Sequence, residues 1–327
     1  MSALKAKDEP PFPATLPEFE KLFPDDAACA AYLESVAWPD GFVCTWCGQA
    51  GNPYRFAHAP HLLGCRSCRR DNWATAGTLM ERTHTSLAIW FRGAFLVVAQ
   101  SPGMATAQLQ RHLGLLQYET AFRLRHMLRG SMVRADRNRI GGNARDHVEV
   151  HVVWIGEVAV GKHRGARDQM LIAAAVEVHG RNPEDIRRMA PRHTRLAGQI
   201  RLATLPDRSA AALGEFVARA VEPGAMVVTE ASDDYSMLTA RGYQHVPLIA
   251  LAAHQTFKDY LPAAHLVFSS LKSWLRGCED IRSQQVQAYL NEFSFRFNRR
   301  LDPFDAFRAL LGIGPKPLAP KRQQRTG

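Results

Sequence analysis

Four of the six cysteines fall into two C-x-x-C pairs, Cys44/Cys47 and Cys65/Cys68, with seventeen residues between the pairs. Cys29 and Cys278 stand apart. Four thiolates at that double spacing suit a closed tetrahedral zinc site with bonds of about 2.3 Å. Gly48 follows the first pair, where a small residue lets backbone amides turn toward the sulfurs. Without a secretory leader, such pairs read as metal ligands before disulfides. A ribbon this small has almost no core, so the metal would supply its folding free energy. Arg66, Arg69 and Arg70 lie around the second pair. Either they touch DNA or the ribbon only holds the N-terminus together.

A second place where chemistry could sit is "VEVHVVWIG", residues 148–156. Its β-branched run predicts a buried strand, yet His151 stands in its middle. The elements that would position these groups follow from local pattern. Residues 25–36 predict a short helix with Asp25 or Asp26 near its cap. Short strand-like pieces and Gly turns surround the cysteines. Residues 86–100 predict an apolar helix, and 105–113 and 118–129 two more, split by "LGLLQ". Strand signals follow at 148–155, 169–178 and 197–204, then a helix at 209–221, a strand at 225–229 and a helical tract over about 263–297. The ends, 1–24 and 313–327, read as flexible, the latter as a basic, Pro-rich tail. There are no internal repeats.

The totals bound the answer. A chain of 327 residues suggests two or three units. No run of 18 apolar residues appears, so no membrane span is expected. "MSALKAKDEPPFPATLPEF" has no apolar leader core, which points to the cytoplasm. The net charge of +10 favours a polyanionic partner.

"SPGMATAQLQRHLGLLQYETAFRLRHMLRGSM" resembles a helix-turn-helix, with Leu109 and Leu113 inward on the first helix and Gly114 in the turn. The second helix would pack Ala121, Phe122 and Leu128 and leave Gln117, Thr120, Arg123 and Arg125 for phosphates or base edges. The plainer alternative is an αα-hairpin with a basic face.

Three strands, a helix, a further strand and then helices is the order of an RNase H-like α/β unit. The expected architecture is therefore 25–80 as helix and zinc ribbon, 81–140 as the helix-turn-helix region, and 145–312 as the RNase H-like domain. The chain further resembles bacterial insertion-sequence transposases with a zinc ribbon, a helix-turn-helix and a DDE-type catalytic domain, from about 17 to 310. The stretches that carry this include "WPDGFVCTWCG", "CRSCRR", "TAGTLMERTHTSLAIWF", "VEVHVVWIG", "AVEPGAMVVTEASDDY", "LPAAHLVFSSLKSWLRG" and "YLNEFSFRFNRR".

That resemblance implies double-stranded DNA, both element ends and target, as the partner, a homo-oligomer on the DNA, and Mg²⁺ or Mn²⁺ held by strand acids. It implies an Asp where this chain has His151 and another where it has Glu230. The third position, on a helix, falls on His265, and a Lys seven residues on matches Lys272. Glu230 keeps a carboxylate but lengthens it, and a misplacement of about 1 Å costs on the order of 100-fold in rate. Neutral imidazole brings no charge to a hard cation and cannot bridge two of them. Glu149 shares a strand face with His151; Glu149, Glu157, Asp233 and Asp234 are the candidate substitutes. The expectation is a transposase-like DNA-binding protein with an impaired centre. The alternatives are a non-catalytic DNA-binding regulator derived from one, an active enzyme with a rearranged metal site, and a structural role for His151.

Overall fold

The computed structural model describes residues 12–99, 104–155, 169–179, 197–248, 261–276, 278 and 285–316. The chain divides into two compact units, Met1–Met132 with Arg299–Gly327, and Val133–Asn298. Among the described residues no helix is long and apolar enough to cross a membrane.

The first unit opens with α1 (Leu16–Leu22) and α2 (Asp26–Ala37). Asp25 caps α2 by accepting from the Ala28 amide at 2.8 Å. Asp26 instead caps α3 (Leu87–Ala99), accepting from Ser86 Oγ at 2.6 Å and the Ala88 amide at 2.9 Å. These bonds satisfy amides that a helix start leaves without an internal partner. Between α2 and α3 lies a three-stranded antiparallel sheet, β1 (Tyr54–Phe56), β2 (Ala59–Gly64) and β3 (Asp71–Trp73). Then come α4 (Thr106–Leu113) and α5 (Tyr118–Ala135).

Both chain ends depart from the flexible segments expected of them. Phe12, Phe19 and Phe23 join Phe91, Phe95, Phe304 and Phe307 in one aromatic core. Residues 299–312, expected with the RNase H-like domain, belong to this unit: the last helix, α10 (Pro303–Leu311), packs on α3. Lys316 of the expected tail donates its backbone N–H to Ala37 O at 3.0 Å and its ammonium to Ala76 O. Residues 1–11 and 317–327 lie outside the described residues. Aromatic burial accounts for the difference: Phe12, Phe19 and Phe23 give the N-terminal segment, and Phe304 and Phe307 the C-terminal one, apolar area that offsets part of the cost of ordering them.

The second unit is a five-stranded mixed sheet. Its strands are β4 (His147–Ile155), β5 (Met170–Val178), β6 (Ala197–Leu205), β7 (Met226–Glu230) and β8 (Gln244–Leu248), in the order β6-β5-β4-β7-β8. The first three pair antiparallel and the last two add in parallel, which is the RNase H-like arrangement. α6 (Ala210–Ala220) precedes β7, and α7 (Met237–Ala240) precedes β8. α8 (Pro262–Arg276) and α9 (Val286–Asn298) follow β8. The expected helical tract is thus two helices. The expected strand count was one short, because β8 was not read from "QHVPL".

Period-2 alternation splits β4 between two cores. Val148, Val150 and Val152 face α6 through Leu213, Phe216 and Val217. Ile155 and, from β7, Val228 face α8 and α9 through Val267, Phe268 and Leu290. Glu149, His151 and Glu230 share parity with this second set, so they lie toward α8.

Candidate functional site

The two C-x-x-C turns are built alike. Gly48 N–H donates to Cys44 O at 2.9 Å and Arg69 N–H to Cys65 O at 3.0 Å; Cys44 N–H donates to Gln49 O and Cys65 N–H to Arg70 O, both at 3.0 Å. Gly48 (φ 72°) and Arg69 (φ 58°) occupy the same left-handed position. Glycine takes that position freely, whereas a side chain there costs about 1–2 kcal/mol.

The four cysteine sulfurs lie within 4.8 Å of one another. Cys44 Sγ to Cys68 Sγ is 3.6 Å and Cys47 Sγ to Cys65 Sγ is 3.7 Å. A tetrahedron with bonds of about 2.3 Å has edges of about 3.8 Å. Donor type and spacing therefore fit one structural zinc ion. Burial opposes ionisation of Cys44, but hydrogen bonds from the Cys47 and Trp46 amides and from Asn72 outweigh it and hold the thiol down at about 6. Asn72, unremarked in the sequence, joins the two turns. Its buried Oδ1 accepts from Thr45 N–H at 2.8 Å and Thr45 Oγ1 at 2.9 Å, while its Nδ2 donates to Arg70 O at 3.1 Å.

In the sheet, β4 and β7 bring His151 and Glu230 together, with Nδ1 to Oε2 at 3.4 Å. Arg208, in the loop before α6, completes the cluster. It donates from Nη2 to Glu230 Oε1 at 2.9 Å, and its Nε lies 3.4 Å from Asp234 Oδ2. His151 is buried, and burial together with the Arg208 charge lowers its pKa to about 4. Glu230 faces the ring with one carboxyl oxygen and the Arg208 guanidinium with the other. Near neutral pH the cluster is thus a neutral imidazole beside a carboxylate–guanidinium pair.

The candidate substitutes are disposed differently. Glu149 is buried and accepts the Ala264 amide at 2.8 Å in the first turn of α8, a position where a carboxylate is favoured. It ties β4 to α8. Asp234 is in contact with Arg208, and Asp233 is exposed. Glu157 lies outside the described residues. His265 is half-buried on α8, between Ala264, which meets Glu149, and Phe268, whose ring centroid is 6.0 Å from that of His151. Lys272 is exposed farther along the same helix. Arg208 was not foreseen, because a loop arginine carries no periodic signal.

The α4–α5 pair has the expected turn, with Gly114 left-handed at φ 65°. Leu109, Leu113, Ala121 and Leu128 are buried as expected. Phe122 is not: it is 52% exposed, and Leu124 takes the inward place. Positions 121, 124 and 128 repeat at helical spacing, and 122 lies about 100° away from 121. Gln117 and Arg123 are exposed, and Thr120 is half-buried. Thr120 and Arg123 line a cavity with Arg82 and Thr83. Arg125 is half-buried, its Nη1 donating to Thr106 Oγ1 at 3.4 Å, so it braces α4 against α5.

Residues 143–298 match the ISXO2-like transposase domain, and residues 24–71 match the transposase zinc-ribbon domain. No curated protein matches the chain. With the mixed α/β sheet inside the first match and the four-cysteine cluster inside the second, the chain belongs to the insertion-sequence transposases that place a zinc ribbon ahead of a DDE-type transposase domain.

Proposed function

We propose that this chain is a transposase-like DNA-binding protein of an insertion sequence whose strand-cutting centre is impaired. The observation that carries the proposal is the cluster of neutral His151, Glu230 and Arg208 at the carboxylate positions. Two-metal chemistry needs oxygen donors with enough negative charge to hold two hard cations. This cluster offers one strand carboxylate, already paired at 2.9 Å with a guanidinium. The donor set does not fit Mg²⁺ or Mn²⁺.

Binding needs none of those donors. Arg123 on α5, Gln117 just ahead of it, the cavity wall at Thr120 and the excess of basic residues support recognition of double-stranded DNA; action as a homo-oligomer on element ends follows from the family alone. A non-catalytic regulator derived from a transposase is the second reading. The same Glu230–Arg208 pair favours it, because a centre of that kind leaves binding as the retained activity.

The test is a salt titration of the full chain on a fluorescent duplex. The expected log–log slope is about −5, as roughly six phosphate contacts would give. Arg123→Gln is expected to reduce its magnitude by about one. Absent or salt-independent binding would defeat the proposal.

A further inference from the structure

The zinc ribbon carries four arginines against two aspartates, Asp40 and Asp71, over residues 38–73, with no glutamate. Arg55 is matched by Glu34 through two bonds of 2.6 and 2.7 Å. Arg66, Arg69 and Arg70 remain, all exposed and none in an ion pair among the described residues. Two of them rest on aromatic rings that are themselves exposed. The Arg66 guanidinium lies 4.2 Å from the centre of the Tyr54 ring and that of Arg70 lies 5.1 Å from the centre of the Trp46 ring. Tyr54 is 51% and Trp46 57% exposed. One ring and one guanidinium are tied to the backbone. Trp46 Nε1 donates to Asp71 O at 2.9 Å, and Arg66 Nε donates to Asn52 O at 2.9 Å.

An exposed arginine ordinarily loses rotamer freedom when it meets a ligand. Stacked on a ring, it has given up part of that freedom beforehand and still presents its remaining N–H donors in the plane of the fork. The third arginine, Arg69, holds the left-handed position that Gly48 fills in the partner turn. Strain kept where glycine would relieve it points to use of the side chain.

We propose that the second cysteine turn is a preformed clamp for the phosphates of duplex DNA, with Arg66, Arg69 and Arg70 as its donors and Tyr54 and Trp46 as the plates that hold two of them. This rests on the DNA-binding reading above and adds a second contact region to it. Base stacking on Trp46 or Tyr54 is disfavoured because the arginines already lie over those rings.

The experiment is the salt titration of the full, zinc-loaded chain on a 30-base-pair duplex, with one zinc per chain checked in every variant. Changing Arg66, Arg69 and Arg70 together to Gln is expected to lower affinity at least tenfold and the slope magnitude by two to three. Replacing Tyr54 and Trp46 by Leu keeps the charges, so affinity is expected to fall several-fold at an unchanged slope. Arg66→Gln alone, a surface change, is expected to lower the slope by about one and serves if the triple variant loses zinc. If the wild-type chain binds and the arginine variants keep its slope and affinity, the clamp is overturned while the DNA-binding reading stands. If the wild-type chain does not bind, that reading fails and the clamp with it. A preference for single-stranded over duplex DNA that Trp46→Leu abolishes would also overturn the clamp, since the rings would then be stacking bases.

Discussion

Removing zinc, or changing Cys44 to Ala, is expected to unfold residues 42–73 while the sheet of the second unit stays protected from hydrogen exchange. The ribbon's strands are three, six and three residues long, too short to hold themselves together. The core around them is correspondingly small. Structural zinc contributes on the order of 10–16 kcal/mol of apparent binding free energy near pH 7, which is larger than the whole stability of many domains. Cys44 is the ligand whose loss costs most, because it is buried and receives the Trp46 amide at 3.4 Å and Asn72 Nδ2 at 3.6 Å. The measurements are metal content, expected at one zinc per chain, and exchange rates with and without chelator. Persistent protection of Leu62–Leu63 in the metal-free protein would show that the ribbon's own packing suffices.

The second large effect concerns acid. His151 has a folded pKa near 4 against about 6.5 when exposed, so the unfolded chain takes up a proton that the folded chain refuses. Stability linked to this group is therefore fully present above about pH 6.5 and is lost as pH falls toward 4. Between pH 7.5 and 5 the loss is about 2 kcal/mol, rising to about 3 kcal/mol below pH 4. His151→Leu removes the titration and keeps an apolar contact with Phe268. Urea unfolding at both pH values is expected to show the wild-type chain losing about 2 kcal/mol more than the variant. Equal losses would mean that folding leaves the ring's titration unshifted, and a smaller loss in the wild-type chain that the ring is held charged; either would make the neutral-imidazole description wrong.

What could be read beforehand depended on whether a residue's partner was close in sequence or in pattern. The zinc ligands were legible because C-x-x-C fixes each turn locally, and β4, β5 and β6 because β-branched and other apolar residues dominate or alternate along each nine-residue segment. β8 was missed because Gln244, His245 and Pro247 break its alternation. The sheet tolerates the proline because β8 is an edge strand. Phe122 was placed inward by its apolarity, although helical phase sends it out and brings Leu124 in. Arg208 and Asn72 had no signal: each acts through partners 22 and 27 residues away. The packing of Phe12 and Phe304 joins the two ends of the chain, and composition gave those ends the look of flexible tails.

A neutral imidazole and a guanidinium-paired glutamate are expected not to run metal-assisted strand cutting. The most direct measurement is a cleavage assay of the full chain on DNA spanning an end of its own element, with Mg²⁺ and with Mn²⁺. No nicked product is expected from the wild-type chain, and a gain is expected when His151→Asp and Glu230→Asp are combined. Wild-type cleavage that Glu230→Gln abolishes would contradict this expectation, because the centre would then be working with the residues it has.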